Sequence, residues 1–270
     1  MPRPSTQEYL YNIDLNPKSV YVVHEKLERL LPLHAHQKGQ LTYVEGGMAY
    51  IYMENKTYII PARHYVWVPP GLQHFLKVRN AATITRNLYF YTHENNQDPF
   101  YQQMGIYPVN NLLFEMLVYT ENFTGDIEKK DANYHFLAAI KSILPKMSTR
   151  SFPIALPTTA NAKLRPIVLW LSQNFAEVIT LENIASRFGM GQRTLSRLFQ
   201  STMSISFLQY LKLLRTVKAI EMIMQGDHTT TEIAYLTGYN SVAAFSKAFH
   251  QLTNIRPSDF GQDKSHNQML

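Results

Sequence analysis

The 270-residue chain contains no cysteine. That excludes a disulfide framework, a thiolate nucleophile and a cysteine-bound zinc finger. Long apolar runs are also missing. The longest are a handful of residues, such as Ile167–Leu171, far short of the ~20 needed to cross a bilayer. The first residues (Met1-Pro-Arg-Pro-Ser-Thr6) are polar, so no secretory signal is expected and the chain reads as soluble and cytoplasmic. Neither a nucleophile elbow nor a Gly-rich phosphate loop occurs. What is present is an ordinary globular balance, 45% hydrophobic and 17% charged, with length for two domains.

Charge is unevenly spread. There are 15 basic and 13 acidic residues up to residue 160, and 11 basic against 7 acidic beyond it. Between Arg187 and Lys247 seven basic residues face only Glu221, Asp227 and Glu232. A basic half suits a polyanionic partner.

The texture divides along the same line. Segments 41–45, 48–53, 57–60, 65–68 and 83–91 are rich in β-branched and aromatic residues and separated by Gly46-Gly47, Glu54-Asn-Lys56, Pro61 and Pro69-Pro-Gly71. They predict a small sandwich or barrel over residues 1–109. Helical spacing begins near Asn110, predicting one helix over 112–123 and a second over 128–144 that Pro145 ends. Residues 147–160, with Pro153 and Pro157, are expected to be a linker. From Asn161 to about residue 262 the chain reads as almost wholly helical.

That last region contains a repeat. Ile184-Ala185, Gly189-Met190, Leu195, Leu198 and Phe199 return as Ile233-Ala234, Gly238-Tyr239, Phe245, Ala248 and Phe249. Each copy reads as a short helix, a turn whose glycine takes a left-handed backbone, and a longer helix with an apolar stripe. This is a helix-turn-helix pattern, whose second helix enters a DNA major groove. Thr229-Thr-Thr-Glu232 fits a capping box and Ser241 fits a cap. Between the copies, 207–224 reads as one helix of roughly 18 residues, about 27 Å long. That approaches the ~34 Å between successive major-groove segments.

These residues resemble the AraC/XylS family of bacterial transcription regulators. The resemblance runs from Leu164 to about Gly261 through Leu181-Glu-Asn-Ile-Ala185, Arg193-Thr-Leu-Ser-Arg-Leu-Phe199, Tyr210-Leu211, Arg215, Gly238-Tyr239, Phe245-Ser-Lys-Ala-Phe249 and Pro257-Ser258. It implies two units on adjacent major grooves of double-stranded DNA. The first recognition helix would present Gln192, Arg193, Ser196 and Arg197. The second would present Asn240, Ser241, Val242, Ala243, Ser246 and Lys247. Departures from the family pattern are Gly191 at a usual cap position, and Ser204 and Asn254 where glycine is common.

In the first half, Leu33-His-Ala-His36, Gln40, Gly46 and Pro69-Pro-Gly-Leu-Gln-His74 resemble the two cupin motifs. The resemblance implies a barrel in which His34, His36, His74 and Gln40 converge, Gln40 standing where cupins usually have a glutamate. A neutral amide is a poorer ligand for a divalent ion than a carboxylate. The four residues are candidate ligands for a divalent metal and, with Tyr43, Tyr50, Tyr52, Trp67 and Phe75, candidate linings for a small-molecule effector.

The expected fold is multidomain α and β: a cupin-like β-barrel with effector site over 1–109, a helical segment at 110–146 that is a candidate for pairing two chains, a linker, and an all-α DNA-binding domain with two helix-turn-helix units over 161–262. The expected function is that of a non-catalytic transcription regulator controlled by a small molecule, with double-stranded DNA as partner, a homodimer and RNA polymerase as candidate partners, and no membrane. The rival reading is a metal-dependent cupin enzyme with an appended helical domain.

Overall fold

The computed structural model describes residues 5–25, 31–78, 83–91, 98–148, 151–152 and 154–260. Residues 1–4 and 261–262, the outer ends of the domains expected from sequence, lie outside the described residues. The chain forms two compact units, residues 1–53 with 60–152, and residues 54–59 with 153–270.

The first unit opens with helix α1 (Thr6–Leu15), started by a capping box between Ser5 and Glu8. The strands that follow are β1 (Val20–Glu25), β2 (Gly39–Glu45), β3 (Met48–Tyr52), β4 (Lys56–Pro61), β5 (His64–Val68), β6 (Phe75–Val78) and β7 (Ile84–Phe90), residues 56–59 of β4 being part of the second unit. Short helix α2 (Pro99–Gln102), β8 (Gly105–Pro108), α3 (Asn111–Tyr119), β9 (Gly125–Ile127) and α4 (Ala132–Met147) complete it. One sheet has six strands in the order β8-β5-β2-β7-β1-β9, and β3 pairs antiparallel with β6.

Side chains alternate across a strand, so the six-stranded sheet has two different faces. Leu41, Tyr43, Tyr65, Trp67, Leu88 and Phe90 share one core with Leu113 and Leu117 of α3 and Leu137, Ile140 and Leu144 of α4. Their neighbours in sequence Gln40, Thr42 and Asn87, and Thr85 two positions from Asn87, are buried and polar. They mark the other face.

The five strands expected from composition appear within a few residues of their expected ends. α1, β1, β6, α2, β8 and β9 are additions to those five strands. The first expected helix stops at Tyr119 and continues as a 3-10 turn over Thr120–Asn122. The second starts later than expected, at Asp131, whose side chain accepts from the Asn133 amide. It also runs through Pro145 to Met147. Proline removes the donor to the carbonyl four residues back, here that of Lys141. The Tyr101 hydroxyl donates to this carbonyl instead, at 2.7 Å.

In the second unit, the stretch expected to be a linker contains β10 (Ala155–Pro157). It pairs antiparallel with β4 through Ala155–Tyr58, Leu156–Thr57 and Pro157–Lys56. Helices α5 (Arg165–Asn174), α6 (Leu181–Arg187), α7 (Gln192–Met203), α8 (Phe207–Gln225), α9 (Thr230–Leu236) and α10 (Val242–Thr253) follow. Several boundaries have a chemical cause. Thr180, Ser206, Thr229 and Ser241 accept backbone amides of the helices they precede. Gly226 ends α8 in the left-handed conformation. Gly191 offers α7 no side-chain cap, and Ser204 and Asn254 adopt φ of 60° and 61° after α7 and α10.

α8 serves two cores. Phe207, Tyr210, Leu211 and Leu214 pack with Leu171, Ile184, Leu195 and Phe199. The same helix also contacts α9 and α10, where Ile233, Phe245 and Phe249 are buried.

The role of Tyr101 can be measured. Tyr101→Phe keeps the ring and strips the Lys141 carbonyl of its donor. The expected cost is about 1–2 kcal/mol, read as a lower urea midpoint at unchanged m-value. An unshifted midpoint would show that water replaces the phenol at no cost.

Candidate functional site

The helical unit carries two similar three-part arrangements. In the first, α6 ends at Phe188, Gly189 turns the chain at φ 65°, and α7 follows. Leu195, Phe199 and Met203 are buried along one side of α7. Gln192, Arg193, Ser196 and Arg197 are all exposed. Arg193 and Arg197 are one helical turn apart and share a face.

The second arrangement repeats this with Gly238 at φ 80° and α10. Asn240, Ser241, Ala243 and Lys247 are exposed, while Val242 and Ser246 are half-buried. The Ser241 side chain accepts the Ala244 amide at 3.2 Å, so its oxygen is engaged in capping. Val242, Ser246 and Lys247 border an open cleft of about 690 Å³ together with His250 and Arg256. Those last two residues were not among those picked from sequence. Arg256 lies beyond the helix, and His250 stands at its last turn.

Not every basic residue of this region faces outward. Arg215 of α8 donates from Nε to the Phe175 carbonyl and from Nη2 to the Glu177 carbonyl, both at 2.9 Å. Its guanidinium lies 5.6 Å from the centre of the Tyr239 ring. A Cβ placed on Gly238 would sit 2.7 Å from Arg215 Nη2 and 2.8 Å from the Ala176 carbonyl oxygen. One side chain thus joins the spacer helix, the segment before the first arrangement and the turn of the second. Lys218 pairs with Glu221 at 2.7 Å, and Arg187 stacks 4.5 Å from the Trp170 ring centre.

The β-rich unit holds the other candidate site. His34 and His74 exchange backbone hydrogen bonds of 3.1 and 2.9 Å, and the Gly71 amide donates to the His36 carbonyl at 2.8 Å. This zips the two histidine segments together, outside any regular strand except for that single bridge. The three rings lie 4.7 to 5.9 Å apart. Gln40, the second residue of β2, brings Oε1 to 2.9 Å from Nε2 of both His36 and His74.

The residues proposed from sequence as one lining do not all meet there. Tyr43 and Trp67 belong to the core under α3 and α4, on the opposite sheet face from Gln40. Their strand register decides this, since each is an odd number of positions from Gln40 or its partner Val68. Tyr52 stacks on Phe75 at 4.5 Å between ring centres, with Tyr50 beside it. Residues that sequence reading missed are Thr42 and Asn87, which orient Gln40, and Tyr89, whose ring meets His36 edge-on at 5.2 Å.

Burial holds all three histidines below their usual pKa, His74 at about 3. They are neutral at neutral pH. Their ligating atoms lie within 4.8 Å of one another. Three neutral imidazoles and an amide oxygen are a donor set that suits a divalent transition ion, so these residues fit the metal that the cupin resemblance implies.

Comparison with known proteins agrees with both halves. Residues 184–263 match the family described as a helix-turn-helix domain, and residues 20–94 match the AraC-like ligand binding domain. The chain belongs to the AraC-type transcription regulators. It is 25% identical over 230 residues to the HTH-type transcriptional regulator NimR of Escherichia coli (strain K12), covering 85% of this chain and 82% of NimR. It is 35% identical over 107 residues to the transcriptional activator RhaS of Salmonella schwarzengrund, covering 40% of this chain and 38% of RhaS. Among solved structures, ToxT from Vibrio cholerae aligns at 13% identity and TM-score 0.37, over 89% of this chain and 96% of ToxT. The regulator therefore combines a DNA-binding unit with a ligand-binding unit. Among the described residues, no helix is long and apolar enough to cross a membrane.

The Arg215 junction makes a prediction. Gly238→Ala places a Cβ against a backbone carbonyl at positive φ, and is expected to cost more than about 1 kcal/mol. In gel-shift titrations it should weaken binding to DNA carrying two adjacent half-sites more than to DNA carrying one. Equal losses on both probes would show that the junction does not set the spacing.

Proposed function

We propose that α7 and α10 enter successive major grooves on one face of the duplex, with α8 as a rigid spacer. Arg193 and Arg197 would fork onto guanine edges or clamp phosphates, and Gln192 and Ser196 would add hydrogen bonds. Asn240, Ser241, Ser246 and Lys247 would hold the second helix against the backbone, with Val242 and Ala243 offering apolar contact to thymine methyls. The observation that carries this reading is the exposure of Arg193 and Arg197 on α7 opposite the buried Leu195, Phe199 and Met203.

The second part of the proposal is the control. A small molecule held at the polar inner face, near His34, His36, Gln40 and His74, shifts the balance between DNA-binding states. It does so only through different affinities for those states. The relatives' names describe regulators and activators, and the histidine cluster lacks a carboxylate. Both favour regulation over the rival reading of a metal-dependent enzyme. The regulator would act in the cytoplasm, where its operator DNA is, and contact RNA polymerase there.

Two chains would pair through the outward sides of α3 and α4. Leu112 and Tyr119 are 57% and 63% exposed on α3, large apolar surface for a helix already buried on its other side. Leu112→Glu is expected to turn dimers into monomers in sedimentation at micromolar concentration. A wild-type chain that is monomeric both free and on DNA would overturn this part.

Arg197→Ala tests the reading head. It should weaken specific binding by about 1–3 kcal/mol at fixed salt, with a smaller change on unrelated DNA. Unchanged specific affinity would remove α7 from base recognition.

A further inference from the structure

The four polar groups of the β-rich unit share a property that hydrogen bonding within the protein does not explain. Each ring turns Nδ1 toward a backbone carbonyl: His34 toward Pro32 at 2.9 Å, His36 toward Lys38 at 2.6 Å and His74 toward Leu72 at 2.8 Å. A carbonyl only accepts, so the single N–H of each neutral ring resides on Nδ1. All three Nε2 atoms then present lone pairs, and one ligating nitrogen of each ring lies within 4.8 Å of those of the other two.

The fourth group adds another lone pair. Gln40 Nε2 donates to Thr42 Oγ1 at 2.7 Å, and Thr42 Oγ1 donates to Asn87 Oδ1 at 2.7 Å. Asn87 Nδ2 donates in turn to Thr85 Oγ1 at 3.4 Å. This relay fixes the amide with its oxygen toward the rings. Oε1 therefore lies 2.9 Å from two nitrogens that have no proton to give. His34 Nε2 is buried with no hydrogen-bond partner. Reversing the amide would supply donors to His36 and His74 and still leave His34 Nε2 bare.

We infer that Nε2 of His34, His36 and His74 and Oε1 of Gln40 bind one divalent transition-metal ion of the zinc or nickel type. An electrophile at their centre satisfies all four lone pairs at once. The Nδ1–carbonyl bonds orient the rings as outer contacts do around protein metal sites. The donor set is neutral, so the ion would keep its full double charge and favour an anionic group on any effector that meets it.

The site is tied to the rest of the unit. The carboxylate of Asp14, on α1, accepts the amides of Gln37 and Lys38, at 2.7 and 3.3 Å. Tyr9 of α1 and Tyr89 share a hydrogen bond of 2.7 Å, and Tyr89 packs on His36. Two of the four ligands thus sit on a segment clipped to α1, and ion binding would tighten that clip.

The test uses the full untagged chain, stripped with chelator, and Zn²⁺ alone as the probe. Equilibrium dialysis with elemental analysis should give one ion per chain at micromolar free zinc, with melting raised by several degrees. Hydrogen exchange should slow at residues 34–42, 71–75 and in α1. Gln40→Glu should tighten binding at least tenfold by supplying a charge, and His74→Ala should lose it. A folded wild-type chain that takes up no zinc, or zinc uptake unchanged in both variants, would overturn the inference. These readouts involve no DNA, so they succeed or fail independently of the proposed mode of operator recognition.

Discussion

Reading two grooves of DNA at once, as proposed, needs the two helix-turn-helix units held at a constant separation, and in this chain one cation contributes to that constraint. Arg215 occupies the middle of the spacer helix and bonds to two carbonyls that precede the first head, while its flat face lies near Tyr239 in the turn of the second. Apolar packing along α8 sets the distance, but packing alone resists rotation poorly. Directional bonds from a planar guanidinium resist it well. Gly238 completes the junction, because a side chain there would occupy the space that Arg215 and the Ala176 carbonyl fill.

The ligand-binding unit follows a different rule. Its strands assign successive residues to opposite jobs. Leu41, Tyr43 and Trp67 anchor helices α3 and α4 on one face, while Gln40 and Thr42 build a polar network on the other. A one-residue slip of β2 would exchange the two sets. The turn at Gly46 and Gly47, both at positive φ, helps hold that register.

How far the sequence discloses this arrangement depends on how local the cause is. Much of the helical unit is legible, since α8 and α10 advertise themselves through amphipathic spacing and capping side chains, and α7 through its spacing and the turn glycine before it. The three histidines and Gln40 were also visible as a motif. The positions of Tyr43 and Trp67 were not, because aromatic composition does not reveal a strand's inward face. β8 and β9 escaped notice because strands of four and three residues owe their existence to neighbours distant in the chain. Thr42 and Asn87 look like ordinary strand polars until the register sets them side by side. Arg215 looked like one more basic residue, and only tertiary contacts separate it from Arg193 and Arg197.

Pro145 gives α4 an address. The carbonyl it leaves without a helical partner must lie beside the Tyr101 hydroxyl. Adding or deleting one residue between Lys141 and Pro145 would swing the orphaned carbonyl about 100° around the axis, away from the phenol. Length changes in that stretch should therefore be far rarer among descendants of this gene than substitutions on its solvent side. Any grafting of α4 into another scaffold would have to carry the tyrosine with it.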